Sequence, residues 1–175
     1  MKLGSVFVDI GAHVGYFTLR AAKLVGPSGR VYAFEPAPQN HELLQKNVKI
    51  NNYKNVMIEK ACITSKTGST DFFLSGDSGT HSTKFKSSKK MRVKCFRLDD
   101  FCNKNRVKKI DLIKIDVKGG EYEAFRGMKN IIRRNKNIRL IAEFVPSYVR
   151  KAGTTPKEFI EMIKSMGFKK FLSYN

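Results

Sequence analysis

The chain has 175 residues, of which 41% are hydrophobic, with a net charge of +19 and three cysteines. Its length fits one domain over 1–175, and 13 Phe and 6 Tyr in periodic segments exclude a disordered chain. The odd, widely spaced Cys62, Cys95 and Cys102 argue against a disulfide scaffold, and the lack of any Cys-x-x-Cys pair argues against a zinc knuckle. No apolar run reaches about 18 residues and no leader pattern precedes the first strand, so a reduced, cytoplasmic protein is expected. The charge favours anionic partners: nucleic acid, phosphorylated or acidic glycans, or an anionic membrane surface. A solvated basic surface is the plainer explanation.

Strand and helix patterns alternate along the chain. Residues 5–9 form a short β-rich run ending in Asp9. Gly11 and Gly15 follow, then a helix whose apolar face is read as Phe17, Ala21, Leu24 and Val25, stopped by Gly26-Pro27. Residues 30–34 read as a second strand, ending at Glu35-Pro36. A helix over about 39–51 turns Leu43, Leu44 and Val48 inward and leaves His41 at the surface. Residues 56–59 make a third strand. Further on, 70–74 reads as a strand, 75–90 as a mobile Ser/Gly/Lys loop, and 91–97 as another strand. Residues 111–116 are an apolar run ending in Asp116, followed by a helix from about Glu121. A strand over 138–144 carries Glu143 near its end. Thr155, Pro156 and Glu158 spell a capping box for the last helix, with Phe159, Ile160, Ile163 and Met166 inward and Gly167 as its left-handed stop. Residues 168–174 read as a closing strand.

This alternation predicts an α/β fold with a mainly parallel sheet, in which ligands bind outside the carboxyl ends of the strands. Asp9, Glu35, Glu59, Asp116 and Glu143 all stand at such ends. The first turn is Asp-x-Gly-x-x-x-Gly: Gly11 permits a tight turn and Gly15 a close approach of helix to strand. It is neither a dinucleotide fingerprint nor a phosphate loop, so pyrophosphate is a poor fit. Glu35, at the end of the second strand, can accept hydrogen bonds from two ribose hydroxyls. Acid, turn and second acid suit a nucleoside with a cationic or uncharged tail.

The run from Asp9 to Thr18 (Asp-Ile-Gly-Ala-His-Val-Gly-Tyr-Phe-Thr) resembles motif I of class I S-adenosylmethionine-dependent methyltransferases, and within them the FkbM family. Residues 29–36 are similar to the family's second motif, followed by Asn47, Asn51 and Asn52. Residues 111–121 with Gly127 are similar to its Lys-Ile-Asp-Val-Glu-Gly-Ala-Glu block, and 142–146 resemble its late strand. The resemblance implies a Rossmann-like sheet with helices on both faces and an antiparallel closing strand. It implies S-adenosylmethionine as cofactor, held by Asp9, Gly11, Ala12, His13, Gly15, Tyr16, Phe17, Glu35, Pro36, Glu59, Ala61 and Asp116. There are departures: His13 stands where Asn is common, Lys118 where Glu is common, and Gly120 where Ala is usual. The segment that usually precedes the first strand is short or missing, which implies either a reduced lid or a chain that is a fragment of a longer protein.

The resemblance further implies methyl transfer to an oxygen of a glycan or small hydroxylated metabolite. A hydroxyl is a weak nucleophile at neutral pH and needs a base or a metal ion to take its proton. Asp116 is the candidate base, with Glu121 and Glu143 as neighbouring carboxylates and Lys114 on the same side of the strand. The three carboxylates could also hold a divalent cation. The base is preferred because Lys118 replaces a possible ligand. A buried ion pair that organises the fold is the structural alternative. His81 is expected to be a solvated loop histidine, and the cysteines buried fillers. Between Lys84 and Lys109 stand eleven Lys or Arg against Asp99 and Asp100, and a second basic set includes Arg126, Lys129, Arg133, Arg134, Lys136 and Arg139. These keep two alternatives open: an RNA methyltransferase on the same fold, and a basic binding module without catalysis.

Overall fold

The structure is a computed structural model that describes residues 1–76, 79 and 81–169. Five strands form the central sheet: β1 (Val6–Ile10), β2 (Arg30–Phe34), β3 (Val56–Glu59), β7 (Leu112–Ile115) and β8 (Arg139–Ala142). Their order is β3-β2-β1-β7-β8, and every pairing is parallel. The chain therefore leaves β1 in one direction for β2 and β3, and returns to its other edge at β7. Ligands favour the crevice at such a reversal.

The helices are α1 (Tyr16–Val25), α2 (Pro38–Ile50), α3 (Leu98–Lys104), α4 (Glu121–Arg126), α5 (Lys129–Arg134), α6 (Pro146–Lys151) and α7 (Pro156–Ser165). Alternation along β1 decides which face each side chain serves. Phe7 packs with Ala21, Ala22 and Val25 of α1, and Ala33 with Leu44 and Val48 of α2. Val8 and Ile10 face the opposite core with Phe101, Phe125, Ile131 and Phe159 from α3, α4, α5 and α7. Helices thus cover both faces, as the family resemblance implies.

A second sheet lies beside the first. Strands β4 (Ala61–Ile63), β5 (Gly68–Leu74) and β6 (Lys89–Phe96) are ordered β4-β6-β5, with β6 parallel to β4 and antiparallel to β5. Lys60 alone separates β3 from β4, so the chain passes from one sheet to the other within a residue.

Several expectations change. Phe17 and Leu24 are 49% and 54% exposed; α1 meets the sheet through Thr18, Ala21, Ala22 and Val25, small residues that permit close packing. Leu43 is also exposed, whereas His41 is buried on α2, where burial and Lys60 push its imidazole pKa down. Part of the expected loop at 75–90 is paired: Ser82 bridges to Phe73 and β6 already begins at Lys89, while residues 77, 78 and 80 lie outside the described residues. The capping box of α7 is present, with Thr155 Oγ1 accepting the Glu158 N–H at 3.1 Å. Gly167 is left-handed at φ 101°. Of the expected closing strand at 168–174, Phe168 and Lys169 are not in a strand, and the rest lies outside the described residues. All three cysteines are free and buried. Among the described residues no helix is long and apolar enough to cross a membrane.

Candidate functional site

A cleft of about 310 Å³ opens at the carboxyl ends of β1, β2 and β7. Its base is the first turn. Gly11 has φ +78°, and a Cβ there would meet the Asp116 carbonyl oxygen at 2.0 Å, so only glycine lets β1 and β7 end side by side. His13 is also left-handed at φ 52°, a conformation that Asn and His tolerate better than most residues. That is the physical reason a His can stand where the family commonly has Asn. Gly15, at φ 99°, lets α1 start against Leu44 of α2.

Two carboxylates anchor this turn. Asp9 is fully buried: Oδ2 accepts a hydrogen bond from Thr18 Oγ1 at 2.7 Å, and Oδ1 lies 3.3 Å from Lys114 Nζ. Burial pushes its carboxyl pKa up, against the pull of Lys114 and Thr18. Glu35 is 5% exposed and borders the cleft. Its Oε2 accepts the His13 N–H at 2.8 Å and its Oε1 the Ala37 N–H at 2.9 Å. Burial again raises the pKa, opposed by those amides, Lys114 and the Asn40 side chain. Backbone amides fix this carboxylate, the Asn40 side chain is a further donor, and acceptor capacity remains for a ligand hydroxyl.

The other end of the cleft is ionic. Lys114 Nζ donates to the Gly11 carbonyl at 2.8 Å, stands 3.9 Å from Asp116, and lies 5.4 Å from the Phe17 ring centre. Asp116 borders the cleft with its side chain 36% exposed. Lys118 Nζ lies 3.0 Å from Asp116 Oδ1 and 2.7 Å from Glu143 Oε1.

The residues singled out from sequence therefore divide. Gly11, Ala12, His13, Tyr16, Phe17, Glu35, Pro36, Ala61, Lys114 and Asp116 all line the cleft. Asp9 and Gly15 support the turn from behind. Glu59 supplies its carbonyl to the Glu35 N–H at 3.1 Å. Glu121 is buried and accepts the Val117 N–H at 3.2 Å, bracing the turn after β7, and Glu143 faces Lys118. Burial pushes the Glu121 carboxyl pKa up. Sequence reasoning passed over Asn40, Cys62, Ile63 and Phe72, which also border the cleft. Ile63 and Phe72 come from the second sheet, and nothing in local periodicity announces that sheet's position. His81, expected in solvent, is on the cleft wall, its Nδ1 accepting the Ser75 N–H at 3.0 Å.

The family model for the methyltransferase FkbM domain matches residues 9–170, most of the chain. The chain belongs to the FkbM methyltransferase family. The hexuronic acid methyltransferase AglP of Haloferax volcanii is 26% identical over 160 residues, covering 90% of this chain and 61% of that protein. The 2-O-methyltransferase NoeI of Sinorhizobium fredii is 24% identical over 155 residues, 78% of this chain and 63% of that protein. The chain thus spans about three-fifths of the length of these curated relatives. The FkbM methyltransferase of Methylobacillus flagellatus has the same fold, with a TM-score of 0.61 at 18% identity, covering 95% of this chain and 38% of that one.

An S-adenosylmethionine-dependent methyltransferase of Aquifex aeolicus also shares the fold, with a TM-score of 0.53 at 15% identity, covering 96% of this chain and 74% of that one. The donor set of this FkbM cleft suits S-adenosylmethionine. Glu35 offers a fixed acceptor for ribose hydroxyls, Phe34, Ala61 and Ile63 offer apolar walls for a flat base, and the turn after β1 carries no phosphate-loop sequence.

Proposed function

We propose that this FkbM domain binds S-adenosylmethionine in the cleft and transfers its methyl group to a hydroxyl of a glycan or small metabolite. The observation that carries this reading is that Glu35, after β2, and Asp116, after β7, line one cleft with β1 between those strands. One carboxylate is fixed by backbone amides to receive a nucleoside; the other is partly exposed where an acceptor enters. The bound cofactor supplies an electrophilic methyl group. Glu35 holds the ribose end, the Gly11 turn sets how closely it approaches, and Tyr16 and Phe17 cover the mouth. Asp116 takes the hydroxyl proton as the acceptor oxygen attacks, and holding the two reactants in line supplies much of the rate. The name of the hexuronic acid methyltransferase supports a sugar acceptor, and that of the 2-O-methyltransferase supports transfer to oxygen. An RNA acceptor is the weaker reading, because the basic Lys104, Arg106, Lys108, Arg133 and Arg134 stand on α3, α5 and the loop after α3, outside the cleft lining.

The test is calorimetric titration with S-adenosylmethionine and S-adenosylhomocysteine, with NAD as control. Micromolar binding of the first two and none of NAD supports the reading; no binding of either removes it. Methyl transfer to glycan extracts, measured with labelled donor, then separates two variants. Glu35→Ala is expected to weaken cofactor binding. Asp116→Asn is expected to keep it and lower transfer by about 10²–10⁴-fold. Wild-type turnover by Asp116→Asn would take that residue out of the base role.

A further inference from the structure

Lys118 is held more tightly than a surface lysine. Its backbone is left-handed at φ 46°, as is Gly119 at φ 88°. The turn they form is pinned from both sides. Ser82 Oγ donates to the Lys118 carbonyl at 2.8 Å, and Glu121 accepts the Val117 N–H at 3.2 Å. The Phe85 ring sits against Gly119 so closely that a Cβ there would meet it at 2.7 Å. From this base the side chain, 19% exposed, reaches between two strand ends. Its Nζ donates to Glu143 Oε1 at 2.7 Å and Oε2 at 2.9 Å, and pairs with Asp116 Oδ1 at 3.0 Å.

An ammonium has three N–H donors and no acceptor. Two of them go to Glu143, and the ammonium faces Asp116 Oδ1 as an ion pair at 3.0 Å. Its effect runs through the carboxylates it joins. Carboxylate oxygens brought from neighbouring strand ends onto a single positive centre are the arrangement with which proteins hold hard divalent cations. Here the centre is a side chain of the protein itself. Among the described residues no group of three His, Cys, Asp or Glu is placed to hold a metal. At this end of the cleft Lys118 is what a third carboxylate would have to replace.

We propose that the Lys118 ammonium is the resident cation of the acceptor end of the cleft, joining Asp116 to Glu143 in the place a divalent metal would take. It is a positioning residue: it holds the Asp116 carboxylate at the cleft wall. The consequence for Asp116 rests on the methyl-transfer reading; the cation assignment does not.

The experiment is Mn²⁺ titration followed by paramagnetic resonance, in chelator-free buffer, on the full chain and on Lys118→Glu and Lys118→Met, with folding checked by circular dichroism. The wild type is expected to take up no Mn²⁺ at micromolar to millimolar concentration. Lys118→Glu, with three carboxylates, is expected to bind one Mn²⁺ at least about tenfold more tightly than wild type. Lys118→Met, with two, should bind more weakly than that but still above wild type. Adding Asp116→Asn to Lys118→Glu should abolish the uptake. If neither variant exceeds wild type, or if wild type binds Mn²⁺ through Asp116, the proposal is overturned. A lysine with a merely structural role would lower stability on substitution without creating a metal site. S-adenosylhomocysteine titration of wild type runs alongside; its failure strikes the cofactor reading and leaves the Mn²⁺ result to judge Lys118.

Discussion

The two ends of the cleft hold their carboxylates by different means. At the nucleoside end, Asp9 and Glu35 are buried, and their oxygens meet a hydroxyl, a buried ammonium and backbone amides. At the acceptor end, Asp116 and Glu143 have side chains 36% and 33% exposed and meet a lysine side chain. Backbone amides cannot swing away, so the first end is set once the sheet forms. Side-chain ion pairs near solvent can rearrange and are screened by salt. In the proposed function this is a fixed grip on the cofactor and an adjustable one near the acceptor.

The sharpest way to break this contrast is Asp9→Ala. It leaves the Lys114 ammonium, with a side chain 8% exposed, without its buried partner. The expected loss is about 3–5 kcal/mol of unfolding free energy, read by urea denaturation. A loss below about 1 kcal/mol would show that Lys114 escapes to water and that the nucleoside end is as adaptable as the other. Gly11→Ala comes next. It imposes a left-handed alanine and a collision with the Asp116 carbonyl, with an expected cost of about 2–3 kcal/mol and weakened S-adenosylhomocysteine binding.

Glu121→Gln gives the smallest effect and the opposite sign. Burial raises the Glu121 pKa above its ordinary 4.5 in the folded chain. A raised folded-state value means the folded protein binds the proton more tightly, so this contribution is fully present below the unfolded value and lost as pH rises through the folded one. The glutamine variant retains an acceptor for the Val117 N–H and has no proton to lose. It is expected to match or exceed wild-type stability at neutral pH by up to about 1 kcal/mol, with a flatter pH profile above 4.5. Urea midpoints at acidic and neutral pH check this; a destabilised variant with the wild-type profile would mean that the charge itself supports the turn.

Much of the nucleoside end is legible in the sequence because its determinants are local. Gly11, Gly15 and Glu35 follow one another through strand, turn, helix and strand, and their spacing alone places them together. The capping box of α7 is equally local. What escapes is non-local or runs against simple periodicity. On α1, apolar spacing points to Phe17 and Leu24, but contact with the sheet selects small residues and sends Phe17 to the mouth of the cleft. Strands β5 and β6 are legible over 70–74 and 91–97, but their assembly into a second sheet hides because β4 has only three residues and strand pairing is not local. Helix α3 hides because Asp99 and Asp100 interrupt its apolar pattern; in the structure Asp99 accepts the Ile131 N–H at 2.8 Å and ties α3 to α5. At the acceptor end, Lys118 reads only as a departure from the family pattern. Its meaning depends on Glu143, twenty-five residues away, and on a turn whose two left-handed residues bring the strand ends to it.

The buried thiols also give the molecule a built-in gauge. Burial pushes the Cys62 and Cys102 thiols up, the latter to about 12, so neither forms much reactive thiolate at neutral pH. Cys62 borders the cleft, while Cys102 lies in a separate hollow with Arg106 and Arg134. Alkylation at Cys62 therefore follows how often the cleft wall opens, and an occupant of the cleft shields it. Cys102 in the same chain serves as the internal reference, so the ratio of the two labelling rates measures occupancy with no added fluorophore or assayed product.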